Sequence, residues 1–165
     1  MWGKLAIALA MLSWSVSLSA QPPTNKRGVG MHLFGNLTIS PSPTPQQHTL
    51  YGISGGTAPT QSLAGIKTSE TGDCIGFVDS TPDHQLTLTG FFRYLRLQVR
   101  SSGDTVMLVK GPGGTWCNDD VSDRNPIIAG GWLQGTYSIW VGSYEPNASF
   151  PYILEVSTVQ DGLAK

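Results

Sequence analysis

RYLRLQVRSSGDTVMLVKG, from Arg93 to Gly111, decides the fold class. Its first half alternates. Leu95, Leu97 and Val99 take one face of an extended chain and Arg96, Gln98 and Arg100 take the other, because successive strand side chains point to opposite sides. Ser101-Ser102-Gly103-Asp104 carries turn chemistry. Thr105–Gly111 is then a short apolar run with buried character on both faces. The two strands are expected to form a hairpin. The charged face of the first strand should be solvated, which also discourages edge-to-edge pairing.

The same texture extends in both directions. His84–Gly90 alternates Leu86 and Leu88 against Gln85, Thr87 and Thr89. Downstream, Tyr137, Ile139 and Val141 share one face of GTYSIWVGS, and Tyr152, Leu154 and Val156 share one face of FPYILEVST, which suggests a closing hairpin across Tyr144 to Ser149. TLYGISG, QSLAGIKT and CIGFVDS read as weaker strands. Short alternating segments between Gly, Asp, Asn, Pro and Ser turns, with no sustained helical repeat, predict an all-β, antiparallel two-sheet β-sandwich of about eight strands.

The chain has 165 residues, enough for one domain with a full core. Residues 1–20 combine Lys4, an apolar run from Leu5 to about Leu18 and small residues at the end, the layout of a secretory signal peptide. Residues 21–49 hold Pro22, Pro23, Pro41, Pro43 and Pro45 and read as a linker or stalk, although Met31–Ile39 could dock as an extra strand. The domain is expected over 50–158, with a tail at 159–165. Ten basic and eleven acidic residues give a net charge of −1, which is no basic footprint for nucleic acid. No later segment reaches membrane-spanning length, so the reading is a secreted or periplasmic protein. In an oxidising compartment Cys74 and Cys117 are expected to pair. A bridge across that span contributes on the order of 4 kcal/mol in the chain-entropy model.

The runs GDCIGFVDSTPDHQLTL, FFRYLRLQVRSSGDTVMLVKGPGGTWCNDD, NPIIAGGWLQGTYSIWVGS and PYILEVS together resemble the bacterial pre-peptidase C-terminal domain, in its stand-alone secreted version. The resemblance covers roughly Leu50 to Ser157. It implies a jelly-roll-like β-sandwich that accompanies secreted peptidases without being catalytic, or that binds collagen, chitin or other polymers, sometimes with calcium. No peptidase precedes the domain in this sequence, which departs from the usual arrangement of the family.

Three groups of residues are candidates for chemistry. Catalysis finds little support. His84 is the single histidine inside the expected domain and reads as a turn residue, both cysteines belong to the expected disulfide, and no HExxH occurs. The expectation is therefore a non-enzyme. Asp104, Asn118, Asp119, Asp120, Asp123 and Asn125 offer closely spaced oxygens of the kind calcium takes, without the EF-hand pattern. The competing reading, favoured here, is that they hold turns. Aromatic residues cluster from Trp116 to Tyr152, and Trp132, Trp140 and Tyr144 are the candidates for a ligand-binding surface. The functional expectation is a non-catalytic module that binds or stabilises an extracellular polymer, a surface component or a protein partner. A calcium-dependent adhesive role and a peptidase-associated accessory role are the alternatives.

Overall fold

The computed structural model describes residues 32–121 and 123–160. The expected signal peptide, residues 21–31 of the expected stalk and most of the expected tail lie outside them.

Thirteen strands and one short helix follow in chain order: β1 (Leu37–Ile39), β2 (Gln47–Ile53), β3 (Ala58–Pro59), α1 (Thr60–Ala64), β4 (Thr68–Ser69), β5 (Gly72–Asp73), β6 (Phe77–Val78), β7 (His84–Leu88), β8 (Phe92–Ser101), β9 (Thr105–Gly111), β10 (Gly114–Asn118), β11 (Ile127–Trp132), β12 (Gly135–Ser143) and β13 (Pro151–Ser157). Two sheets form a β-sandwich. In the larger, β12 lies between β7 and β9, β1 extends the β7 side, β10 extends the β9 side, and β6 with β3 continue past the end of β7. The smaller runs β11-β8-β13-β2. All pairs are antiparallel except β1 with β7.

The fold class is therefore as expected, but both expected hairpins are corrected. β8 pairs with β11 and β13, whereas β9 pairs with β10 and β12, so Ser101–Asp104 carries the chain from one sheet to the other. Tyr144–Ser149 does the same between β12 and β13. Turn chemistry governs reversal of the chain, not which neighbour a strand pairs with. The first crossover is tight at Gly103, where a Cβ would fall 2.1 Å from the Phe150 ring.

Between the sheets lies the main core. Leu95, Leu97 and Val99 from β8, with Leu154 and Val156 of neighbouring β13 beside them, face Met107 and Val109 from β9 and Tyr137, Ile139 and Val141 from β12. A second, smaller core covers the outer face of β9 and β12. There Val106, Leu108 and Trp140 meet Ala64, Val78 and the Cys74–Cys117 disulfide. This accounts for the two-sided apolar character of Thr105–Gly111. The cover comes from α1, which corrects the reading of QSLAGIKT as a strand. Gly65, at φ 76, ends this helix in the left-handed region that favours glycine.

Within the expected stalk, Leu37–Ile39 docks as an extra strand, the alternative that the sequence left open, and Gln47–Thr49 belongs to β2. Asn36 Oδ1 accepts the Gln85 N–H at 2.7 Å, β1 then pairs with Leu86–Leu88, and Ile39 enters the main core. β2 begins at Gln47 and pairs along its length with β13. Pro41, Pro43 and Pro45 occupy the connection between these strands, where no ladder hydrogen bond is lost.

Candidate functional site

The open flank of the sandwich holds a cavity of about 310 Å³ between β10, an edge of one sheet, and β11, an edge of the other. Trp116, Trp132 and Tyr137 line it together with Gly130, Gly131 and Leu133. The three rings pack on one another, with centroids 4.8 Å apart for Trp132 and Tyr137, 6.0 Å for the two tryptophans and 6.2 Å for Trp116 and Tyr137. Such tilted and edge-on arrangements suit the aromatic quadrupole.

Each ring is fixed differently. Trp132 shares the inward face of β11 with Ile128, is only 5% exposed, and donates its indole N–H to the Leu95 carbonyl at 3.0 Å. Tyr137 is fully buried, and its hydroxyl donates to the carbonyl of Leu133 or of Pro112. Burial pushes its pKa up. Trp116 is half-buried and forms the accessible wall, beside the exposed Gly113 and Leu133 at the rim. The floor is thus rigid and apolar, and its polar atoms are satisfied internally.

The disulfide anchors one side. Cys117 closes against Cys74, and the turn between β4 and β5 covers its backbone. Thr71 Oγ1 and Ser69 Oγ donate to the Cys117 carbonyl at 2.8 and 3.2 Å, and Ser69 Oγ accepts the Cys117 N–H at 2.9 Å. This turn also places Glu70 and Thr71 at the cavity mouth.

The expected ligand-binding aromatics separate. Trp132 lines the cavity from within the core, so its expected surface position is corrected. Trp140 is 8% exposed, because the face of β12 expected to meet solvent is covered by the second core. Tyr144 is 44% exposed but lies on the β12–β13 crossover, away from the residues lining the cavity. Trp116 stands beside a Gly-rich turn, and its spacing alone does not reveal that β10 is a sheet edge.

Two of the candidate calcium residues, Asn118 and Asn125, are engaged by protein groups. Asn118 Oδ1 accepts the Ile127 N–H at 2.9 Å while its amide donates to the Thr71 carbonyl at 2.6 Å. Asn125 Oδ1 accepts from the Thr105 hydroxyl at 2.9 Å, and its amide donates to the Ser101 carbonyl at 3.1 Å. Both asparagines therefore brace the loop between β10 and β11. Asp123, at φ 51, and Arg124, at φ 66, turn it. The Asp104 carboxyl is raised, first by burial and then by the charge of Asp120, with Asp119 adding to it and Arg124 opposing it. Among the described residues no group of three or more His, Cys, Asp or Glu side chains is placed to hold a metal ion.

His84 is corrected from a turn residue to a core residue, 1% exposed at the start of β7. Its Nδ1–H donates to the Gly35 carbonyl at 2.7 Å, which leaves Nε2 to accept the Tyr152 hydroxyl at 2.8 Å. Burial is the main influence on its pKa and lowers it, so the ring is held neutral. Beside it, Asp83 Oδ2 accepts the Val141 N–H at 2.7 Å, and burial pushes its pKa up to about 7. The residues form a buried brace across β7, β12 and β13 that sequence reasoning did not single out. Both histidine nitrogens are engaged in it.

The fold and cavity define a disulfide-pinned β-sandwich with an aromatic slit between two sheet edges. No family model matches the sequence. The chain is 31% identical over 104 residues to an uncharacterized protein of Synechococcus elongatus (strain ATCC 33912 / PCC 7942 / FACHB-805), with 61% of this chain and 77% of that protein covered, and it belongs to the same family. Among solved structures it is similar to the pre-peptidase C-terminal domain of collagenase from Bacillus anthracis, at 9% identity and a TM-score of 0.39, covering 73% of this chain and 93% of that one. It is also similar to Aeromonas hydrophila PliG, a periplasmic lysozyme inhibitor of g-type lysozyme, at 16% identity and a TM-score of 0.39, covering 74% and 96%. At that level of similarity neither structure assigns an activity to the chain.

Proposed function

We propose that the protein is an exported, non-catalytic β-sandwich module that binds a polymer, a surface component or a protein partner outside the cytoplasm, with the Trp116–Trp132–Tyr137 cavity as its binding site. The cavity is the observation that carries the reading. It is concave, its walls are aromatic, and its floor is held rigid by internal hydrogen bonds, so ordering it on binding costs little. Export is supported by the signal-peptide layout of residues 1–20 and by the use of both cysteines in a buried disulfide. A non-catalytic role is supported by His84, whose two nitrogens are already bonded and whose ring is enclosed. Membership of the pre-peptidase C-terminal family is part of the same proposal and rests on the ordered motifs quoted above.

The test is retention of the exported protein on immobilised chitin, gelatin, peptidoglycan and peptide supports, alongside Trp116→Ala and Leu133→Ser. Retention on one support that both substitutions abolish is the expected result. Equal retention of all three proteins would remove the cavity from the account. Hydrolysis of a peptide or glycan substrate, abolished by one substitution, would replace the non-catalytic reading.

A further inference from the structure

The slit has a second chemical property besides its aromatic wall: strand backbone that the fold leaves without a strand partner. Along β11, Ile127 turns its N–H away from β8, to Asn118 Oδ1, while the preceding Pro126 directs its carbonyl towards β8, to the Val99 N–H at 3.1 Å. In an antiparallel ladder this sense repeats every second residue, so Ala129, like Ile127, presents its N–H and C=O on the open side. Ala129 lines the cavity. On the opposite bank, Cys117 directs both backbone groups outward, where the Ser69–Thr71 turn takes them. Among the described residues, β11 has no equivalent cover at Ala129.

Charge adds a third element. Glu70 is exposed at the mouth, and no ion-pair partner for it is found among the described residues.

We infer that the site takes an extended peptide segment of a partner protein, added as a strand along the β11 edge at Ala129, with a large apolar or aromatic side chain seated between Trp116 and Leu133 and a basic residue beside Glu70. Main-chain hydrogen bonds at a free edge give affinity, and a pocket for alternate side chains gives selectivity. The cavity volume of about 310 Å³ accommodates one such side chain. A sugar ring would use the aromatic wall, but its hydroxyls do not repeat the paired donor and acceptor spacing that an extended strand brings to an edge. The inference rests on the cavity being the binding site and specifies the chemistry of its occupant.

The experiment follows tryptophan fluorescence of the exported protein during titration with capped Lys-Thr-Phe-Thr-Lys, the same peptide with Ala in place of Phe, the same peptide N-methylated at its edge-facing amides, and chitotetraose. Losing one or two net hydrogen bonds or the seated ring weakens binding by about tenfold or more. The Phe peptide should therefore bind at least that much more tightly than its Ala and N-methyl counterparts. Ala129→Pro removes only an outward N–H, which edge strands tolerate, and should weaken the Phe peptide similarly. If circular dichroism shows that this variant does not fold, Trp116→Ala and the N-methyl peptide carry the comparison. Equal binding of the N-methyl peptide overturns the strand-addition inference. Binding of chitotetraose without any peptide also overturns it while leaving the cavity as the site. No response to any probe overturns both.

Discussion

Asp83 sits in the sandwich with one carboxylate oxygen on the Val141 N–H, and burial outweighs that hydrogen bond in setting its pKa near 7, with the charge of Asp79 adding to the rise. The folded protein therefore keeps a proton that the unfolded chain releases at about 3.8. The resulting contribution to stability is fully present below pH 3.8, declines as the pH rises, and is lost above about 7. At about 1.4 kcal/mol per pH unit, the whole window is worth on the order of 4 kcal/mol, as an upper figure. For a domain of this size that is roughly 15 °C in melting temperature. Asp83→Asn keeps an oxygen for the Val141 N–H and cannot ionise. The difference in stability between the variant and the parent, from urea titrations at closely spaced pH values, removes the contributions of the other groups. It should move in favour of the variant by several kcal/mol between pH 4 and pH 8, with nearly all of the change below pH 7.5. A difference that stays constant to within about 0.5 kcal/mol over that range, the usual scale of error in such comparisons, would refute the reasoning.

Further outcomes follow from the same geometry. Tyr152→Phe leaves His84 Nε2 without its buried donor and should cost about 1–3 kcal/mol in urea unfolding at pH 7.5. Because the His84 pKa is lowered by burial, that residue withdraws stability as the pH falls below 6.5, opposite in sign to Asp83. A Tyr152→Phe protein with parental stability would contradict the brace. Reducing the Cys74–Cys117 bridge, or replacing both cysteines by serine, should cost on the order of 4 kcal/mol and lower the melting temperature markedly. Gly56→Ala forces a Cβ to 2.0 Å from the Val78 backbone at φ 122 and should destabilise by at least about 2 kcal/mol, measured by thermal unfolding. Millimolar calcium should leave the melting temperature unchanged, since Asn118 and Asn125 already direct their oxygens to protein donors. A calcium-dependent rise lost in Asp119→Ala with Asp120→Ala would instead make the acidic residues calcium ligands.

The alternation of Leu95, Leu97 and Val99, and of Tyr137, Ile139 and Val141, was enough to read the inner faces of both sheets, because period-two burial is a local property of the chain. Pairing partners were not legible. Ser101–Asp104 has the same composition whether it closes a hairpin or crosses between sheets, and only long-range packing decides between the two. Trp140 illustrates a second limit. Its face was read as opposite to that of Ile139, as observed, but nothing near it in sequence says that α1 and the disulfide would cover that face. The cavity is partly visible in the sequence, since the aromatic cluster from Trp116 to Tyr152 contains its three rings. Trp116 and Ala129 matter because they lie on sheet edges, and an edge is defined by the strands that are absent beside it. The acidic loop is legible as a polar cluster but not in its partners, because Asn118 and Asn125 bond groups as distant in sequence as Thr71.

A nitrogen–proton correlation spectrum of the exported protein, recorded with and without a molecule that it retains, tests the central claim most directly. The account predicts that the indole resonances of Trp116 and Trp132 and the amides from Ala129 to Leu133 move together, while those from His84 to Leu88 stay in place. Binding that moves the β7 amides or the β12–β13 crossover around Tyr144 and leaves both indoles unchanged would contradict it.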